Sequence, residues 1–278
     1  MGEGAASTAK LAAFYGEMSP SVETVRKSLE VAGVDPDRAR ARDLYERDID
    51  CHNLGMYRML EVLADLVTEY GAPAPGDQVL DLGCGIGGPG RFLADRFGCS
   101  VLGVDLLPLR VELAGALAVL TNAHGVSYHV ADATDLDLPD ESFHQVWMLD
   151  VSMHIRDKRA LFAEIARVLR PGRLMVMHEQ AGPLPPAMRP LMRSAPYVAP
   201  GLPQLLRYVE NAGLHVLTWR DTTEVVLEYF LRMRNVVLDS SAAGDTRRET
   251  GIPLLDAYIT TLRDLDGRTG ALIARRAR

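Results

Sequence analysis

The stretch Val79-Leu80-Asp81-Leu82-Gly83-Cys84-Gly85-Ile86-Gly87-Gly88 constrains this chain more than any other, because it joins a buried strand to a helix through closely spaced glycines with an acid just ahead of them. Apolar Val79, Leu80 and Leu82 follow the turn-like Ala74-Pro75-Gly76-Asp77, and Phe92, Leu93 and Phe97 mark one face of a helix opening near Pro89. Glycines let the backbone turn tightly and approach a ligand, and the helix start offers that ligand unpaired N–H groups. Gly83, Gly85 and Gly88 also fit the dinucleotide pattern G-x-G-x-x-G, which alone is a weak signal. Asp81 weighs against a dinucleotide. A carboxylate two residues before the first glycine is unfavourable beside a pyrophosphate and favourable beside a cation such as an ammonium group. The alternative is a glycine turn shaped only for helix packing.

The next strands repeat the pattern of an acid at the end. Ser100 to Val104 leads into Asp105, placed where a doubly wound fold puts an acid on ribose hydroxyls. Val126 to Val130 leads into Ala131-Asp132-Ala133, and Phe143 to Leu149 into Asp150. Any one of these acids can be a helix cap or a solvated turn carboxylate. Three in register with the glycine loop point instead to a ligand at one edge of a sheet. A helical stretch from Lys158 to Leu169 precedes a further strand, Leu174 to Met177, and such alternation builds parallel βαβ units.

Four segments together resemble the S-adenosylmethionine-dependent methyltransferases of the Rossmann-like type: Val79 to Gly88; Val101 to Asp105; Ala131-Asp132-Ala133 with Leu138 to Phe143; and Ala166 to Gly172. The resemblance covers residues 75–180 and departs from the family where Gly172 is followed by Arg173 rather than by a second glycine. It implies S-adenosyl-L-methionine as methyl donor and S-adenosyl-L-homocysteine as product. Asp81 and the backbone of Gly83, Gly85 and Gly87 would hold the methionine moiety, Asp105 the ribose, and Asp132 with the Ala133 backbone the adenine, with Leu106 on the adenine face. Cys84 and Leu149 complete the implied donor set. The expected fold is α/β, a Rossmann-like, seven-stranded, mostly parallel sheet with helices on both faces and helical cap segments. Residues 1–72 would form an N-terminal helical cap, 73–180 the donor-binding core, and 181–278 the rest of the sheet with acceptor-cap insertions. In that last part, helices from Leu202 to Asn211, Glu224 to Leu238 and Pro253 to Leu265 are expected, with a flexible joint from Ser240 to Gly251. Strands are expected at Val216 to Trp219 and, antiparallel as in the family, at Ala271 to Ala274.

The net charge of -7 and the dispersed basic residues exclude a nucleic-acid footprint. Cys51, Cys84 and Cys99 share no metal or redox spacing, so neither a disulfide nor a metal centre is expected. With no apolar run long enough to span a bilayer and no leader pattern at Met1 to Ser7, a cytoplasmic chain without membrane contact is expected. The spacing says nothing of oligomeric state.

Methyl transfer to an oxygen, nitrogen or carbon acceptor needs alignment and a route for the acceptor's proton. His154, just past the fourth strand, is the leading base: histidine as a residue type titrates near neutrality, and this one resembles the family's histidine facing the acceptor. His178 and Glu179 end the fifth strand. Neighbours on a strand face opposite ways, so one of the two should reach the acceptor and the other be structural. His52 lies in the break before a helix over the donor. His124, His129, His144 and His215 fall in or beside core elements. Tyr15, Tyr45, Tyr57, Trp147, Tyr197 and Tyr229 can line an acceptor pocket or serve as core, as can Met175, Met177, Met188 and Met192. Asp150 can bind a cationic or hydroxylated acceptor or cap the following turn. The caps favour a small-molecule acceptor, a secondary-metabolite intermediate by resemblance. Two rivals stay open: a fold member that binds the donor without methylating, acting as a cyclase or scaffold, and a nicotinamide-dependent oxidoreductase.

Overall fold

The computed structural model describes residues 3–51, 53–182, 197–240, 246–264 and 268–278. Seven strands form one sheet in the order β3-β2-β1-β4-β5-β7-β6. They are β1 (Gln78–Leu82), β2 (Ser100–Asp105), β3 (Val126–Val130), β4 (Phe143–Leu149), β5 (Leu169–Ala181), β6 (Leu214–Asp221) and β7 (Arg268–Arg276). The pairs among β1 to β5 are parallel, while β7 runs antiparallel to both β5 and β6. Chain order reverses between β1 and β4, which leaves a crevice beyond the C-terminal ends of the central strands, the place where open α/β sheets bind ligands.

Ten α-helices are described: α1 (Glu3–Met18), α2 (Val22–Val31), α3 (Ala41–Tyr45), α4 (Met56–Tyr70), α5 (Gly88–Phe97), α6 (Pro108–Leu120), α7 (Lys158–Val168), α8 (Leu202–Asn211), α9 (Thr223–Ser240) and α10 (Thr246–Asp264). Strand alternation sends side chains to two cores. Val79, Trp147 and Val176 pack under α4, α5, α9 and α10, where Met59, Leu60, Leu63 and Val67 form the buried stripe of α4. Leu80, Leu82, Val146 and Met175 pack under α7 and α8, against Phe162, Ile165 and Leu205. Each fully buried side chain of this size contributes roughly 1.5–3 kcal/mol of transfer free energy. Trp147 enters its core because its indole N–H has a partner, donating to Gln145 Oε1 at 2.8 Å.

The expected strands and helices are present, with longer ends on β6 and β7 than the apolar runs alone mark. The joint expected from Ser240 to Gly251 is different: α9 runs through Ser240 and α10 already begins at Thr246, so Pro253 lies inside a helix instead of starting it. Good helix formers ahead of Pro253, Arg247, Arg248 and Glu249, carry the helix past the bond that proline cannot make. Residues 241–245 lie outside the described residues, as do His52, Met188 and Met192. Among the described residues no helix is long and apolar enough to cross a membrane.

Candidate active site

At the end of β1 the chain passes through Gly83, in the left-handed region at φ +76°. A Cβ there would fall 2.3 Å from Val151 Cγ2, so the absence of a side chain lets the loop lie against the segment leaving β4. The amides of Gly83 and Cys84 both donate to Val104 O, at 2.8 and 2.9 Å, which ties the loop to β2. Gly85 N donates to Asp105 Oδ2 at 2.9 Å, and Leu107 N to Asp105 Oδ1 at 3.0 Å. A carboxylate has about four acceptor sites, so Asp105 keeps capacity for a ligand after bracing both loops.

These segments line a cavity of about 150 Å³. Its walls include Asp81, Gly83, Cys84 and Gly85 from the first loop, Asp105, Leu106 and Arg110 after β2, Asp132 and Ala133 after β3, and Leu149, Asp150 and His154 at and after β4. Asp81 is 1% exposed, and its Oδ2 has no hydrogen-bond partner among the described residues. Burial, and then the neighbouring charge of Asp105, push its carboxyl up to about 7. Asn53, also on the cavity wall, has a buried Oδ1 with no partner, its Nδ2 being turned to Met56 O at 3.1 Å. Both orphans are acceptors. A buried polar group without a partner is costly, so the cavity suits a ligand that donates hydrogen bonds and carries positive charge.

Opposite the loop, α1 presents Thr8, Leu11 and Tyr15 to the cavity. The Tyr15 hydroxyl lies 2.8 Å from His154 Nε2, and the Arg110 guanidinium sits 4.4 Å from the centre of the Tyr15 ring. Burial pushes the Tyr15 hydroxyl up to about 12, so it stays protonated beside the imidazole. Beneath the loop, Asp50 and Arg91 form a fully buried ion pair at 2.7 Å, and Arg91 also donates to the carbonyls of Ile86 and Ala114. This pair ties the glycine loop to the segment before α4.

Gly87, His178 and Glu179 are not among the residues that line this cavity. Gly87 is the N-cap of α5, and its carbonyl accepts from the Tyr128 hydroxyl at 3.2 Å. His178 is fully buried between Asp150 Oδ1 and Thr222 Oγ1, both at 3.0 Å. Glu179, equally buried on the opposite face of β5, accepts from Met153 N at 3.2 Å. Burial, and then the charge of Asp150, push Glu179 up to about 7. The nearby Lys158 ammonium donates to Ser152 O at 2.6 Å and to Ile155 O. The short helical turn Ser152–His154 is therefore gripped from two sides. Among the described residues no group of three or more His, Cys, Asp or Glu is placed to hold a metal, and all three cysteines are buried and unpaired.

Residues 80–177 match the methyltransferase domain family. That stretch belongs to the S-adenosylmethionine-dependent methyltransferases of the Rossmann-like, small-molecule class. The chain is 41% identical over 96 residues to the chloroplastic tocopherol O-methyltransferase of Arabidopsis thaliana, covering 34% of this chain and 28% of that protein. It spans no more than 40% of the length of the tocopherol and phytylhydroquinone methyltransferases it matches. Its fold follows that of Haemonchus contortus phosphoethanolamine N-methyltransferase 2, with a TM-score of 0.73 at 22% identity, over 91% of this chain and 60% of that one. The [4+2]-cyclase SpnF has the same fold, with a TM-score of 0.64 at 20% identity over 93% and 98% of the two chains.

Sequence reasoning overlooked Arg110, Asn53 and the Asp50–Arg91 pair. The pair has no local signature, its members being 41 residues apart. Thr8, Leu11 and Tyr15, spaced three and four apart, do carry the signature of a single helix face.

Proposed function

We propose that this chain transfers a methyl group from S-adenosylmethionine to a small-molecule acceptor. The observation that carries the reading is the buried Asp81 carboxylate, its Oδ2 unpartnered, on a cavity that also gathers Asp105 and Asp132 from the ends of the next two strands. When bound, the donor supplies an activated methyl group on its sulfonium. Asp81 and Asn53 would take the donor's ammonium, Asp105 its ribose hydroxyls, and Asp132 and Ala133 its adenine, with Leu106 and Leu149 against the ring. Gly83, Cys84 and Gly85 bring the backbone close enough for this, while Gly87 sets the start of α5.

On the acceptor side, the Tyr15 hydroxyl would take the proton that the acceptor releases as it passes its own to His154 Nε2. Tyr15 and α1 keep water from the reacting atoms. Glu179 holds the backbone of the turn that carries His154. The relatives' acceptors, tocopherol and phosphoethanolamine, define a phenol and an amine as the two chemistries to try. The three buried, unpaired cysteines fit a reducing cytoplasm.

The test combines calorimetry with S-adenosylhomocysteine and mass spectrometry after incubation with methyl-labelled donor and either tocopherol or phosphoethanolamine. Binding together with label in one acceptor is expected. His154→Ala should lower turnover by roughly 100-fold to 10,000-fold with S-adenosylhomocysteine affinity nearly unchanged. A folded protein that does not bind S-adenosylhomocysteine would overturn the reading, and one that binds it without ever transferring label would place the chain with the non-methylating users of the fold.

A further inference from the structure

Asp150 is the residue where the donor cavity meets a second, buried polar system. It stands at the C-terminal end of β4 in the left-handed region, at φ +57°, a conformation that carries a cost for a residue with a side chain. Its carboxylate is only 8% exposed, yet it lines the cavity. Oδ2 accepts from Leu54 N at 2.7 Å, and Oδ1 from His178 Nδ1 at 3.0 Å. Behind the imidazole, Nε2 meets Thr222 Oγ1 at 3.0 Å, and the Thr222 hydroxyl reaches Thr269 Oγ1 at 3.4 Å. A fully buried histidine closed off at both nitrogens is immobile. It is not among the residues that line the cavity, and its imidazole connects to the cavity through Asp150.

We infer that His178 is a positioning residue that acts through Asp150: its Nδ1–H fixes the Asp150 carboxylate so that the free lone pairs accept a hydrogen bond from the hydroxyl or amine of the methyl acceptor. The inference rests on the proposed methyl transfer. Pairing with two N–H donors leaves a carboxylate free acceptor capacity, and Asp150 lines the same cavity as His154. The charge of Asp150 also bears on groups from every element around it, raising Tyr15 from α1, Glu179 from β5, Tyr197 from the segment before α8 and Tyr258 from α10. In each of these four, burial is the larger cause. Neutral Tyr197 is turned elsewhere, its hydroxyl donating to Gly182 O at 3.3 Å, and Tyr258 to Gln180 Oε1 at 3.0 Å. Neither phenol competes for the Asp150 oxygens.

Two measurements decide it. In protein saturated with S-adenosylhomocysteine and labelled with ¹⁵N-histidine, the NMR signals of His178 should report the tautomer with hydrogen on Nδ1, and this proton resonance should shift or vanish in Asp150→Asn. An Nε2–H tautomer, or a His178 spectrum indifferent to Asp150→Asn, overturns the inference, and this arm needs no acceptor. In the second, turnover is followed with labelled donor and tocopherol or phosphoethanolamine. His178→Leu should lower kcat on the order of tenfold to a hundredfold, and His178→Asn, which keeps an N–H toward Asp150, should recover most of it. The double variant Asp150→Asn/His178→Leu should be no slower than Asp150→Asn alone, because the second change acts only through the first. Multiplying losses, or a folded His178→Leu with full kcat, overturns it. Absence of label in both acceptors counts against the methyl-transfer reading, while the NMR arm still decides the pair.

Discussion

Asp81 spends the ligand-free state near its own titration point, because burial and the charge of Asp105 bring its carboxyl up to about 7. An ammonium group binds the ionised form. Below the titration point the carboxyl must first lose a proton, so affinity for S-adenosylhomocysteine should fall toward tenfold for each pH unit below 7 and level off above it. Calorimetry between pH 5.5 and 8.5 checks this, with a flat profile counting against it; Asp81→Asn should abolish the slope and lower the plateau. Asp81, Asp105 and Asp132 were legible in the sequence because each lies at or just past the C-terminal end of a strand, a signal confined to a few neighbouring residues. Arg110 and Asn53 were not: what places them on the cavity is packing between segments remote in sequence, and a lone arginine or asparagine carries no mark of that.

Among the elements, the turn Ser152–His154 and the start of α7 form a unit. The Lys158 ammonium grips the turn from α7, and Glu179 grips it from β5. Burial brings Lys158 down to about 8, so it is charged at neutral pH and donates to both carbonyls. Lys158→Met leaves the carbonyls of Ser152 and Ile155 without this donor. The expected cost is about 1–3 kcal/mol, seen as a lowered melting temperature, together with a loss of kcat that exceeds any change in S-adenosylhomocysteine affinity. A variant that melts lower but keeps full kcat would show that the grip serves stability alone. The helices and strands were readable from periodicity, which depends on a single element and its own buried face. The clamp was not, since alternation along β5 says that His178 and Glu179 face opposite ways but not what each will meet.

On the scale of the whole molecule, α1 stands apart from the sheet. None of residues 8–16 belongs to the three apolar clusters, yet Thr8, Leu11 and Tyr15 lie on the cavity wall. Removing residues 1–18 should therefore leave a folded protein with little change in melting temperature, lose turnover, and release S-adenosylhomocysteine faster. Stopped-flow displacement reads the last of these, and an unchanged release rate would contradict it. The contacts of Tyr15 with His154 and Arg110 add a consequence in time. Both partners are walls of the chamber beside which the helix lies, so the expected gate is the helix itself, latched to the rim of its own vessel and coming away once to fill the chamber and once to empty it. With rapid chemistry beneath it, the cycle would be paced by the lifting of one helix through solvent, and turnover would slow as the solution thickens.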